Sequence, residues 1–190
     1  MNETKTQRPV QTLAMAAIMM ALGFVLPFFT GQIPQIGGML CPMHLPVLLC
    51  GLLCGWKYGL AVGFLLPLLR SVTLGMPPMF TAIAMAFELA AYGFLAGFLY
   101  ARSRWQCIIA LYRCLIAAMI GGRIVWAVVR VILSGVSGQA FTWQMFLSGA
   151  FLTAIPGIIL QLAFIPAVMA ALDRTGLVPF RRSGETVQTA

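Results

Sequence analysis

Six apolar runs, each closed off by glycine, proline or a basic residue, decide what this chain can fold into. They occupy residues 10–30, 42–56, 58–75, 79–100, 108–133 and 143–172, and leave little of the 190 residues over. A soluble domain carries about 25% charged residues because its surface has to be wetted. Here the charged share is 8% and the hydrophobic share 61%, with a mean hydropathy of +0.97. Lipid must therefore solvate most of the chain. A helix needs about 20 apolar residues to cross a bilayer, so the runs read as one bundle of about six transmembrane helices. The expected fold class is an all-α integral membrane protein. Residues 1–9 form a polar N-terminal tail, 10–172 the membrane domain and 173–190 a C-terminal tail. The run after the N-terminal segment is long enough to span, so that segment reads as a tail and not as a cleaved signal. The second run is short, and Lys57 leaves almost no loop between it and the third.

The net charge of +8 would suggest a nucleic-acid partner in a soluble protein. In a membrane protein its placement matters more. Lys5 and Arg8 precede the first run, Lys57 follows the second, Arg102 and Arg104 follow the fourth, and Arg174, Arg181 and Arg182 follow the sixth. The loops at 31–41, 76–78 and 134–142 hold no lysine or arginine. With six spans every basic loop falls on one side, which the positive-inside rule makes cytoplasmic together with both termini. Five or seven spans would scatter these charges.

Four arginines remain inside the runs: Arg70, Arg113, Arg123 and Arg130. Arg113 lies near the cytoplasmic start of the fifth span and can snorkel to the interface. Arg70 and Arg130 lie late in outward-running spans, Arg123 near the middle of the fifth, and Glu88 is the only acid within any span. A charge at mid-membrane costs at least about 2.5–3.5 kcal/mol, so several together need a reason. A structural salt bridge between Glu88 and one arginine is one such reason. It leaves at least one arginine without a carboxylate, and a solute's carboxylate or phosphate can fill that place. Arg123 and Arg130 are seven residues apart on one helix face, with Trp126 beside them, so that face offers an apolar plate flanked by two anion-binding forks. Tyr92, one turn beyond Glu88, belongs with this set.

His44 starts the second span, level with the uncharged outer loop, and reads as a pocket group or as an interfacial cap. It is the single histidine, which argues against a histidine-based metal site. The first outer loop, residues 31–38, contains Gln32, glycine and proline, and is too apolar for a plain linker. It reads as a lid over a pocket or as a tight turn. The cysteines Cys41, Cys50, Cys54, Cys107 and Cys114 read as single buried thiols. Small residues recur at four-residue spacing in Ala17–Ala21, with Ala14 near them, in Gly51, Gly55, Gly59 and Gly63, and in Gly93 and Gly97. Such faces let helices approach closely in lipid, and most are expected to pack within the chain.

Together these features resemble the substrate-binding S components of energy-coupling factor (ECF) vitamin transporters. The segment from Met39 to Gly93, with Met43-His44-Leu45-Pro46-Val47-Leu48-Leu49-Cys50-Gly51 and Leu66-Pro67-Leu68-Leu69-Arg70, is similar to the branch with folate- and pantothenate-type members. The resemblance implies a bundle that binds a vitamin from outside through the outer helix ends and the first outer loop. It implies docking through Ala14, Ala17 and Ala21 on a transmembrane coupling subunit, two partner ATPases, and a bacterial plasma-membrane location. Pantothenate is the first expectation for substrate and a folate-like acid the second. The chain has no phosphate loop ending in Gly-Lys-Ser/Thr, so no cofactor is expected on it and ATP is hydrolysed by partners.

Two rival readings remain. Gly135-Val136-Ser137-Gly138 fits the Gly-x-Ser-Gly pattern of rhomboid-type intramembrane proteases. A serine nucleophile needs a general base, and no histidine follows it in the sixth span. A stand-alone secondary transporter of a small organic anion would show internal repeats and broken helices. No repeat is evident, although Pro27, Pro67, Pro156 and Pro166 punctuate the spans.

Overall fold

A computed structural model of the chain describes residues 3–29, 42–103, 107–137 and 155–174. They form six helices: α1 (Glu3–Phe29), α2 (His44–Cys54), α3 (Trp56–Leu74), α4 (Met79–Arg102), α5 (Ile108–Ser137) and α6 (Ile155–Arg174). Five are long and apolar enough to cross a membrane. The sixth, α2, corrects the expected second span. Its 11 residues rise only about 16 Å against a hydrocarbon core of about 30 Å. The expected start of the last span, at residue 143, lies outside the described residues. α1 begins at Glu3, so part of the expected tail is helical, and α5 runs to Ser137, beyond the expected end at 133.

Glycine determines how the middle of the bundle closes. α2 and α3 are joined by Gly55 alone, whose φ of 91° lies in a region that L side chains rarely adopt. The two helices fold back on each other there, and a Cβ on Gly59 would sit 2.6 Å from the Gly51 Cα and 2.7 Å from the Gly93 carbonyl oxygen. A Cβ on Gly93 would in turn run into the Gly59 carbonyl, and one on Gly63 into the Leu89 carbonyl. Three backbones thus meet without side chains between them, the arrangement that small residues permit where lipid removes the hydrophobic drive to associate. The expectation that these glycines pack within the chain holds for Gly51, Gly59, Gly63, Gly93 and Gly97. Gly55 instead makes the turn.

α4 lies at the centre, against α2, α3 and α5. The contacts fix direction: Gly59 and Gly63 meet Gly93 and Leu89, so α3 and α4 are antiparallel, whereas His44 meets Tyr92 and Gly51 meets Gly97, so α2 runs with α4. α1 covers α2 and α3, with Ala16 buried among Met43, Val47, Cys50, Val62 and Leu66. α6 lies on α5 and α2 and buries Gly157, Gln161, Ile165 and Met169 along one face. Trp56 meets Gly97, and Tyr100 lies within electrostatic reach of Cys107 and Asp173. Lys57, Arg102 and Arg174 therefore share one end of the bundle, and the opposite end has the closing turns of α1 and α3. The basic ends gather as the loop charges require, even though α2 does not span by itself.

The outer surface is apolar. Ile18, Leu22 and Val25 on α1, and Ile116, Ile120, Ile124 and Val128 on α5, are exposed large hydrophobics that only lipid or another helix can cover. α1, α3 and α6 run on through Pro27, Pro67 and Pro166, and Pro156 falls in the first turn of α6. Among the described residues each of these helices continues through its proline without a break.

Gly93→Ala places a methyl against the Gly59 carbonyl and is expected to cost about 1–3 kcal/mol. Gly135→Ala, which meets nothing within 4 Å, is expected to cost nothing. Thermal unfolding of the two variants in detergent checks the contrast.

Candidate functional site

The polar groups in the bundle converge on Glu88, nine residues or about 14 Å into α4 from its start at Met79. Its side chain is 2% exposed. One oxygen, Oε1, serves three neighbours. Arg123 of α5 reaches it with Nη1 at 2.9 Å, the Tyr92 hydroxyl donates to it at 3.3 Å, and His44 Nε2 stands at 3.7 Å. The last distance is within Coulomb range but too long for a hydrogen bond. The salt bridge expected for Glu88 therefore exists, and its partner is Arg123, the mid-span arginine.

His44 is placed differently from the sequence expectation. It starts α2, but α2 starts at the depth of Glu88 and not at the level of the outer loop. The ring is 3% exposed and meets Tyr92 edge to face at 5.1 Å between centroids. Both of its nitrogens are buried without a hydrogen-bond partner among the described residues. Tyr92 is held in turn by a notch in α5, where a Cβ on Gly122 would lie 2.8 Å from its ring. The pair Gly121-Gly122 directly before Arg123 was the sequence signal for this close approach of α4 and α5, and its role was not drawn from the pattern.

Arg130 lies two turns beyond Arg123 toward the uncharged end. Its guanidinium carbon is 5.6 Å from the ring centroids of both Trp126 and Phe80, so Arg130 lies over Trp126 as well as beside it in sequence. Phe80, in the first turn of α4, is a further member that sequence reasoning missed. The Arg130 Nε is buried and makes no hydrogen bond among the described residues.

Arg70 is used by the fold. Its Nη1 donates to the Phe24 carbonyl at 2.7 Å, and the group lies 5.1 Å from the centre of the Phe28 ring. Both partners belong to the last two turns of α1, so Arg70 fastens α1 to the end of α3. Ser134 and Gln161 are also buried, and the composition of their helices gave no cue to either. Gln32 and the loop 31–38 lie outside the described residues. Ala14, Ala17 and Ala21 are all exposed along α1, in contrast to the buried glycine seam. Ser137 is the last residue of α5 rather than part of a loop.

The arrangement has two levels. At mid-depth a carboxylate is charge-matched by one arginine, with a histidine and a tyrosine beside it. Nearer the uncharged end a second arginine lies on two aromatic faces with no acid assigned to it. That combination can hold an anion but offers no nucleophile next to a base. Among the described residues no group of three or more histidine, cysteine or acidic side chains could hold a metal ion.

The family model described as "ECF transporter, substrate-specific component" matches residues 11–169, which is 159 of the 190 residues. No curated protein and no solved structure matches the chain.

Removing one member of the Glu88–Arg123 pair strands a buried charge. Arg123→Leu is expected to destabilise the chain by about 3–5 kcal/mol. The double variant Arg123→Leu/Glu88→Gln is expected to recover a large part of that, as read by unfolding titrations in detergent.

Proposed function

This chain belongs to the substrate-specific components of ECF transporters, and from that premise we propose that it captures a small carboxylate-bearing solute at the uncharged end of its bundle for ATP-driven import. As a member of that family it is a transporter subunit and not an enzyme. The observation that carries the proposal is the state of Arg130. Glu88, the buried acid at mid-depth, is already matched by Arg123 at 2.9 Å. Arg130 is then left on Phe80 and Trp126 with a buried, unbonded Nε. A carboxylate there would gain a charge-assisted and potentially bidentate contact in a water-poor site. The sign of charge and the likeness of residues 39–93 to folate- and pantothenate-type members favour pantothenate first and a folate-like acid second.

Energy comes from partners in this reading: a transmembrane coupling subunit and two ATPases on the cytoplasmic side. The docking face is the exposed row Ala14, Ala17 and Ala21, where small side chains allow a partner helix to approach closely. The basic end of the bundle faces the cytoplasm by the positive-inside rule, so the pocket opens outward, and a bacterial plasma membrane is the setting.

Arg130→Ala is expected to weaken solute binding by about 2 kcal/mol or more. Arg70→Ala is expected to lower stability by about 1.5–3 kcal/mol through the lost bond to α1 and to affect binding less. Calorimetric titration of pantothenate, with a melting curve for each variant, separates the two, and unchanged affinity in Arg130→Ala would overturn the carboxylate site. Ala17→Trp is expected to leave affinity intact and abolish uptake in proteoliposomes that also contain the coupling subunit and ATPases. Sustained gradient-driven uptake by the chain alone would defeat the assignment of energy to partners.

A further inference from the structure

We propose that the solute is an elongated monoanion: its carboxylate meets Arg130, and its far end is an uncharged hydrogen-bonding group that completes His44. The inference rests on the carboxylate reading of Arg130 and adds what the other end of the molecule must be.

The first observation is the unbonded imidazole. His44 is 3% exposed and both ring nitrogens are buried, yet neither makes a hydrogen bond among the described residues. Buried polar groups are nearly always partnered, and an orphan is a standing cost to the fold. Its Nε2 stands 3.7 Å from Glu88 Oε1, an electrostatic contact too long for a hydrogen bond, and the ring packs against Tyr92, which Gly122 holds in place. In its neutral form an imidazole presents one donor and one acceptor. Its missing partner is therefore a group that can both accept and donate, such as a hydroxyl or an amide.

The second observation is the local charge. Glu88 and Arg123 already neutralise each other at 2.9 Å beside that ring. A further carboxylate or amine at this depth would be desolvated with no counter-charge left to match it. Burying an unmatched charge costs far more than burying a hydrogen-bonded neutral group, so the group at His44 is uncharged. The third observation is the spacing. Arg123 and Arg130 are seven residues apart on α5, about 10 Å along its axis. Glu88 and Phe80 are eight apart on α4, about 12 Å. Two unsatisfied polar positions, one cationic and one neutral, therefore stand about 10 Å apart in depth, and one molecule of that reach would meet both.

The test uses the full chain purified in detergent and freed of endogenous solute, with four acids of equal carbon count as probes: hexanoate, 6-hydroxyhexanoate, adipate and 6-aminohexanoate. Dissociation constants come from calorimetry. The hydroxy acid is expected to bind about fivefold to tenfold more tightly than hexanoate, the worth of one neutral hydrogen bond. It is also expected to bind more tightly than the diacid and the amino acid. His44→Phe is expected to erase its advantage over hexanoate, and His44→Gln, which keeps a donor and an acceptor, to retain it. Adipate or 6-aminohexanoate binding as tightly as the hydroxy acid overturns the inference. So does a hydroxy acid with no advantage over hexanoate, which would assign His44 to a water. Arg130→Gln is expected to weaken all four alike. If the head-group preference appears but does not depend on Arg130, the carboxylate reading fails and the His44 assignment stands. If none of the four binds, both are overturned.

Discussion

The close approach of Gly51, Gly59 and Gly93 is the constraint on which the rest of the bundle depends. With no side chains between them, the backbones of α2, α3 and α4 come within van der Waals contact. That contact fixes the depth at which α2 begins and brings His44 to Glu88. A second glycine step, Gly121-Gly122, brings α5 onto α4 and lets Arg123 reach the same carboxylate. The polar centre is thus positioned by backbone packing and not by loops. Its geometry is set on rigid elements.

Much of the architecture was legible because lipid imposes simple rules. Run length gave α3, α4 and α5 to within four residues at either end and the C-terminal ends of α1 and α6 to within two, and the lysines and arginines sorted the ends. The second helix was misjudged because an apolar run of 42–56 reads the same whether or not it spans. What shortened it was the start at His44 and the left-handed backbone at Gly55, and a hydropathy pattern contains neither. The site was legible in part. Spacing put Trp126 beside Arg123 and Arg130, and the charges left a Glu88–arginine bridge open as one of two readings. Which arginine would take the bridge depended on the helix-to-helix register, set by glycines whose role as spacers has no charge signature. Arg70 looked like a site residue because of its depth alone, and only tertiary contact shows it donating to the Phe24 carbonyl.

The two kinds of small-residue face divide the labour of the surface. The glycine rows face inward and are consumed by the fold. The alanine row of α1 faces outward with Leu13, Ile18 and Leu22 around it. The same spacing in sequence thus has opposite meanings in the structure, and burial decides between them. In a membrane, where apolar area alone does not drive association, a smooth exposed stripe is an offer of close contact to another helix.

The shortness of α2 also bears on how the chain enters the bilayer. A segment of 11 residues is too brief to be recognised and threaded through as a span of its own. A single residue, Gly55, joins it to α3, so the two must enter together as a closed hairpin. Gly51 and Gly59 already face each other across that hairpin, four residues to either side of the turn. The half-depth position of the histidine follows from that turn together with the backbone contact to α4.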